Sequence, residues 1–448
     1  MEYIEIIFLL FFYSLLLLLC QYASKKIILT PEFVFIGSFI PQFVLALFYV
    51  EKWDLTLCAD TVLVYILGGL LFVSFSLLFR SVGKKNYIRT YDKKDVSILT
   101  IQKWKLVFTA CFQLAAIYLM INSLKLITGQ SSVTEAIAFY NIASKEAGMT
   151  ISGLAAKMNL FSYMSGFIWM YYIVYEIVNK DRTNMKLLII NFVLSVVNNM
   201  LTGSRGGVIQ NVLFGVYLYY FMWSERHEWK NIPLSVMLRF IALGIGIILV
   251  FQVSLQWVGR TTSIENMSDY LAMYFSAEMK NLDIDIRNGL MSFREICQFS
   301  TLNSLITFIE KIIGINISDG YEAISTYHYI NGYELGNVST VYNSFIADMH
   351  YLGLFVYEGV MAFVSQFAFA KAIKTNNSHF TVNLGMMIYI YILCKLSFSF
   401  FSGWFFNDIF SGGFLWTIII WVVLRIFLEN NSIKKIKILN KMYVRLIH

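Results

Sequence analysis

Thr202-Gly203-Ser204-Arg205-Gly206-Gly207 separates two strongly apolar runs, Leu187–Leu201 and Val208–Trp223. Each run approaches the length a helix needs to cross the hydrocarbon core of a bilayer. The stretch between them is therefore expected to be a turn where a membrane-spanning chain reverses. An obligate cation and three glycines stand in that turn. An arginine costs ~3 kcal/mol or more at the bilayer centre but is tolerated near an interface, facing a wet cleft. Flanking glycines let backbone N–H groups converge on an anion, and a guanidinium grips phosphate oxygens with a planar fork that lysine lacks. A tight interhelical turn with a snorkelling Arg205 fits the same residues.

The rest of the chain has the same character. Of its 448 residues 58% are hydrophobic, 17% aromatic and only 14% charged, with a mean hydropathy of +0.64. That balance excludes a soluble globular or a disordered protein and points to an all-α integral membrane protein. Three prolines leave no obvious linker, so residues 1–448 read as a single polytopic domain. The formal charge of +7 does not imply nucleic acid, because Lys and Arg gather in short loops as they do on the cytoplasmic side of membrane proteins. The five cysteines are scattered without a CxxC, which indicates neither a disulfide framework nor a zinc site; a Cys58–Cys297 bridge across outer loops is conceivable. The first apolar run, Ile4–Leu19, follows Glu2, contains Glu5 and lacks a small-residue cleavage box. It is expected to be a span and not a cleaved leader.

Apolar stretches place about eleven transmembrane helices: Tyr3–Gln21, Glu32–Val50, Thr61–Phe79, Leu106–Ile127, Leu160–Val178, Leu187–Leu201, Val208–Trp223, Met237–Trp257, Leu352–Ala372, Phe380–Phe401 and Phe414–Leu428. Every second connection is basic: Lys25 and Lys26, the Arg80–Lys105 connection, Lys180–Lys186, Arg226–Arg239, Lys371 and Lys374, and the Lys434–Arg445 tail. That side is expected to be cytoplasmic, with the N-terminus and the Thr202–Gly207 turn outside and the C-terminus inside. The long connection over residues 258–351 is expected to fold over the outer face, since it is too rich in Tyr, Ile, Leu and Phe for disorder. Val133–Ala147, Tyr270–Met279 and Leu302–Ile313 read as amphipathic helices, either lying near the headgroups or packed on the bundle.

Three polar groups share the expected outer side. They are Arg205 in its glycine turn, Arg260 with Lys280, Arg287 and Arg294 along the loop, and Ser339–Gly353, which contains Asp348 and His350. Two arginines and a carboxylate suit a diphosphate leaving group and a neutral hydroxyl nucleophile. Fixed cations can stabilise charge growing on the bridging oxygen without a metal or other cofactor, and an acceptor hydroxyl needs holding in line and, in some schemes, a base. Asp348 is the first choice for that base or for acceptor positioning, and His350 the second. Asp348 also fits a helix cap, His350 a hydrogen-bonded surface residue, and Arg287 and Arg294 a solvated loop face. Lys395, an intramembrane cation in the tenth helix, either serves function, pairs with a buried acid or snorkels outward.

The Thr-Gly-Ser-Arg-Gly-Gly turn at 202–207, the long outer loop and the Tyr342-Asn343…Asp348…Gly353 run resemble bacterial O-antigen and capsular repeat-unit polymerases of the Wzy type. The resemblance implies a metal-independent glycosyltransferase of the bacterial cytoplasmic (inner) membrane, related in shape to lipid-dependent membrane glycosyltransferases. Such an enzyme polymerises undecaprenyl-diphosphate-linked oligosaccharides, donor and acceptor both lipid-bound, alongside a chain-length regulator and a repeat-unit flippase. Arg205 and Arg260 become candidates for the donor diphosphate, helped by Ser204, Gly206, Gly207, Arg287 and Arg294, and Asp348 with Tyr342 and Asn343 candidates for the acceptor side. O-antigen ligases of similar pattern carry a histidine where this chain has Tyr342, which favours a polymerase. A ligase and a lipid-linked glycan flippase stay open as alternatives.

Overall fold

Apolar runs become helices wherever the computed structural model describes them, over residues 3–24, 27–82, 101–146, 148–180, 182–203, 206–227, 229, 267–290, 299–315, 327–373 and 381–429. The expected eighth span, Met237–Trp257, lies outside these residues, as do Ser204, Arg205, Arg260, Arg294 and Cys297.

In chain order the helices are α1 (Ile4–Ser24), α2 (Pro31–Leu47), α3 (Ala59–Val82), α4 (Lys103–Thr128), α5 (Val133–Glu146), α6 (Gly153–Asn179), α7 (Met185–Met200), α8 (Gly206–Arg226), α9 (Met267–Phe275) and α10 (Ala277–Asp285). A π turn (Ile286–Leu290) and a 3₁₀ turn (Ser300–Leu302) precede α11 (Asn303–Ile313). A short antiparallel hairpin, β1 (His328–Ile330) and β2 (Tyr333–Gly336), leads to α12 (Val341–Ile373), α13 (Leu384–Leu396), α14 (Trp404–Ile409) and α15 (Gly412–Glu429). Among the described residues five helices, α1, α3, α4, α12 and α15, are long and apolar enough to cross a membrane, and α2, α7 and α13 are shorter apolar helices. The chain is an all-α, multi-pass membrane protein in this sense.

Two compact units share this chain. The first comprises Met1–Ile88, Ser263–Lys374 and Tyr391–Leu415; the second comprises Arg89–Thr262, Thr375–Ile390 and Trp416–His448. In the second unit a neutral polar seam joins α4, α6 and α7. Thr109 Oγ1 and Gln113 Nε2 both donate to Asn191 Oδ1 at 2.9 Å, and Ser162 Oγ donates to Gln113 Oε1 at 2.9 Å. Side-chain hydrogen bonds of this kind hold helices together where lipid removes the hydrophobic drive between them.

The first unit is organised by α12 against α3. Tyr342 is fully buried, and its ring packs closely against Gly68 of α3, where a β-carbon would sit 2.3 Å from the ring. Tyr342 stacks on Phe39 at 5.4 Å between centroids and meets Tyr65 edge-on at 5.5 Å, and its hydroxyl shares a 3.0 Å hydrogen bond with Tyr13. Aromatic contacts of this geometry add about 1 kcal/mol each beyond area burial.

Several boundaries differ from the sequence expectation: α6 begins at Gly153, seven residues before Leu160, and α13 covers only Leu384–Leu396 of the expected Phe380–Phe401. The ninth span, expected from Leu352, begins at Val341, because its polar first turns (Tyr342, Asn343, Asp348) are helical and buried inside the unit. Tyr270–Met279 is not one amphipathic helix but the α9–α10 junction, interrupted at Ser276, whose backbone leaves the helical region at φ −147° and ψ −17°. Val133–Ala147 and Leu302–Ile313 match α5 and α11 closely.

α12 is broken in the middle. Met349 (φ −147°, ψ 22°) and His350 (φ 53°, ψ −140°) leave the helical region, and His350 occupies left-handed space that a side chain strains to adopt. His350→Gly is expected to raise the stability of the solubilised chain by about 1 kcal/mol, the strain relieved exceeding glycine's cost in the unfolded chain. A thermal melt in detergent checks this; an unchanged or lower midpoint would show that the histidine is held there by contacts worth more than the strain.

Candidate functional site

At the start of α12 the sequence brings three polar side chains onto one carboxylate. Asp285, the last residue of α10, meets His328 Nε2 at 2.9 Å through Oδ1. Its Oδ2 accepts from Asn343 Nδ2 at 2.5 Å and from Ser339 Oγ at 3.3 Å. Each partner is placed by a local feature. Asn343 stands in the first turn of α12, fixed in register by the buried Tyr342 beside it. His328 opens β1, where the ladder is irregular between His328 and Tyr329, the kind of bulge that re-aims a side chain. The hairpin closes over Asn331-Gly332, both with positive φ (50° and 79°), which suits a two-residue turn of the primed type. Asn281 Nδ2 of α10 donates to Leu335 O and Val338 O at 3.1 and 2.7 Å, which ties the end of the hairpin to the helix that carries Asp285. After Asp285 the chain enters the π turn Ile286–Leu290, a local irregularity frequent at functional sites.

The chemistry of this group is that of a proton acceptor. The side chains of His328 and Asp285 are 11% and 9% exposed, so the pair is nearly dry yet reachable. Burial pushes the Asp285 carboxyl above its usual range, against the opposing pull of His328, Asn343 and Ser339. With Asp285 ionised, its bond to Nε2 places the ring hydrogen there and makes Nδ1 the basic nitrogen. An acid–imidazole pair held by an amide and a hydroxyl can orient a hydroxyl group and take its proton.

Beside this cluster the cations are engaged structurally. Arg287, 47% exposed, donates from Nε to Asp283 Oδ2 at 2.7 Å and from a terminal nitrogen to Thr56 O at 2.9 Å. The Asp283 bond raises its already high pKa. Asp283 itself accepts from Cys58 N and Thr61 Oγ1 at 2.7 and 2.9 Å, which anchors the start of α3. Lys280 is buried, donates to Asp54 O at 2.5 Å and is pushed down by burial. Arg287 of the expected substrate-binding set thus braces the loop while leaving half its surface open.

Asp348, the first choice for a base, is 2% exposed and holds a different structure together. Its carboxylate accepts from Ser300 N, Ser300 Oγ, Thr301 N and Tyr357 OH at 2.7, 2.5, 3.0 and 3.0 Å. It caps the 3₁₀ turn that precedes α11, not its own helix, and bridges the two halves of broken α12 through Tyr357. His350 is half-buried at the break itself. Asn343 joins the Asp285 cluster, whereas Tyr342 sits in the aromatic core. Lys395 is 1% exposed and forms an ion pair with Asp408 of α14, with the rings of Tyr391 and Trp404 4.6 and 5.8 Å from its ammonium. Of the alternatives for Lys395, pairing with an acid is the one observed, although Asp408 is 39% exposed and not buried.

In the second unit the Thr202–Gly207 turn is tightly built on both sides of Arg205. Thr202 Oγ1 and N bond Asn199 O at 2.8 and 3.2 Å, and Gly203 N bonds Met200 O at 2.9 Å. A β-carbon on Gly203 would lie 2.7 Å from Asn141 of α5, and one on Gly207 2.3 Å from Asn199. Those two glycines are required by close packing. Gly206 then opens α8, so the N–H groups of a helix start follow directly on Arg205, an arrangement that favours an anion.

Sequence reasoning missed Asp285 and His328, which lie 43 residues apart. The available signal was Asn331-Gly332 between two short aromatic-rich runs, the strongest short-range hairpin mark. No known protein family, no curated protein and no solved structure matches the chain.

Proposed function

We propose that this chain polymerises undecaprenyl-diphosphate-linked oligosaccharide repeat units by glycosyl transfer on the outer face of the bacterial cytoplasmic membrane. The observation that supports it most is the Asp285–His328 pair bonded to Asn343, the residue that the polymerase-like run at 342–353 had already marked for the acceptor side. The acceptor hydroxyl loses its proton to this pair while its oxygen bonds the anomeric carbon and the bond to the diphosphate breaks. Tyr342 acts as a positioning residue, and Asp348 as the clamp that keeps broken α12 in place. Arg205 and Arg260 keep the donor-diphosphate role read from the sequence, with Ser204, Gly206, Gly207 and Arg294 around them. The proposal includes eleven spans, an outer N-terminus, a cytoplasmic C-terminus and a folded outer loop over residues 258–351. It also includes two lipid-linked glycans as substrates, no metal, and a chain-length regulator and a flippase as working partners.

A gel of surface glycan from a deletion strain, beside the complemented strain, tests it. The expected result is a core capped by at most one repeat unit, because ligation and export still operate when polymerisation fails. Long chains retained on the lipid carrier would instead mean a ligase, and single lipid-linked units trapped on the cytoplasmic side a flippase. An unchanged ladder would remove the glycan proposal altogether.

A further inference from the structure

Glu358 stands in the second half of α12, within a helix long and apolar enough to span a membrane, and is 0% exposed. Among the described residues, neither of its carboxyl oxygens has a hydrogen-bond partner. Of the other described acids on the elements packed around α12, all but Glu278 are hydrogen-bonded or ion-paired. Glu32 of α2 pairs with Arg80 of α3 and accepts from Gln366 at 2.8 Å, and Asp60 of α3 accepts from Tyr351 at 3.0 Å. On α10, Asp283 holds Arg287 and Asp285 holds His328; on α14, Asp408 holds Lys395. Glu278 of α10 is the one similar case, buried beside Gln42, whose amide donates to Phe400 O instead. Among the described groups that feel Glu358 are the phenols of Tyr13 on α1 and Tyr342 on α12, and neither supplies a positive charge.

An ionised carboxylate in such a place would lose its hydration and gain no donor or cation among the described residues in return, which is strongly unfavourable. A carboxylic acid avoids that cost by keeping its proton, and acids inside spanning helices are retained chiefly for function.

We infer that Glu358 is a proton-binding site within the spanning part of α12, occupied at neutral pH, whose proton keeps α12 packed against α1 and α3. Loss of that proton places an unpaired negative charge beside Tyr13 and Tyr342, the pair that fixes the register of Asn343. Proton occupancy is thereby coupled to the placement of the candidate site, whatever reaction that site performs. The coupling runs in one direction: alkaline pH favours the charged form and weakens the packing, while acid leaves it intact.

Infrared difference spectroscopy on the full-length chain in detergent, wild type minus Glu358→Gln at neutral pH, tests this directly. The expected spectrum contains the carbonyl stretch of a protonated, weakly hydrogen-bonded carboxylic acid that shifts on deuteration; Glu278→Gln, run in parallel, identifies the band of the second buried acid. Carboxylate stretching bands in place of the carbonyl band would overturn the inference. Thermal melts give a second readout that does not depend on the band. Glu358→Gln, neutral and of the same shape, is expected to match wild type at neutral pH and to lose the wild type's decline in midpoint toward alkaline pH. A variant that fails to accumulate at neutral pH, or one that declines in parallel with wild type, would equally overturn it.

Discussion

Gly353→Ala is expected to prevent accumulation of the folded chain, or to lower its stability by ~3 kcal/mol or more. A β-carbon at this position would lie 1.9 Å from the carbonyl oxygen of Phe345 and 2.8 Å from its carbon. Both obstacles are backbone, so no side-chain rotation relieves them, and ordinary overpacking costs of about 1–3 kcal/mol are a lower bound. The contact exists because α12 breaks at Met349–His350 and its second half comes back onto the end of its first. Gly353 is thus the point at which the Asp348 clamp and the Asn343 turn are held against the spanning half. Gly359→Ala is the internal control, since its nearest neighbour would be Phe75 at an ordinary 3.5 Å. Fluorescence-detected size exclusion and a thermal melt distinguish the two variants. A Gly353→Ala chain with the midpoint of Gly359→Ala would mean that the break in α12 is not as described.

That break was not legible in the sequence, and the reason is physical. The stretch Val341–Ile373 carries no proline or glycine pair at Met349–His350, and the usual causes of a kink leave such marks. What interrupts α12 is tertiary: Asp348 is drawn to the backbone of Ser300 and Thr301, about fifty residues earlier in the chain. The apolar runs, by contrast, report a local cost that every membrane-spanning segment must meet, which is why the membrane class and helices such as α4 and α15 were readable. The Thr202–Gly207 turn was legible as the break between two apolar runs, whereas the packing of Gly203 against Asn141 and of Gly207 against Asn199 was not.

The candidate site was legible only at Asn343. The Asp285–His328 contact depends on how the hairpin His328–Gly336 folds back onto α10, and hydrophobic periodicity carries no information about that. Tyr342, named with Asn343 for the acceptor side on the resemblance, packs against Gly68 of α3 and shares its hydroxyl's hydrogen bond with Tyr13.

In strains that make the polymer, Asp285→Asn and His328→Ala are each expected to lower glycan polymerisation by about a hundredfold, the usual worth of a positioned proton acceptor. Asparagine keeps the shape of Asp285 and its bonds to Ser339, so the amount of chain in the membrane stays near that of wild type. Asn343→Ala removes one bond to the carboxylate and is expected to cost about tenfold, a single charge-assisted hydrogen bond. On the proposed function, Arg205→Ala is expected to abolish polymer while leaving the chain in the membrane, since it removes one of the two arginines assigned to the leaving diphosphate and with it transition-state stabilisation. The pH dependence follows the same logic. Asp285 is held above the ordinary carboxylate range by burial, so on acidification it is neutralised earlier than an exposed aspartate. Polymerisation by membranes in vitro is therefore expected to fall as pH drops through that raised value. Band patterns of surface glycan, normalised to the amount of membrane-inserted chain, provide the measurement. A full ladder from both Asp285→Asn and His328→Ala would remove the pair from the reaction and return Asp285 to a purely structural role at the foot of the hairpin. A full ladder from Arg205→Ala would separately remove the diphosphate assignment, leaving the glycine turn as a packing device against Asn141 and Asn199.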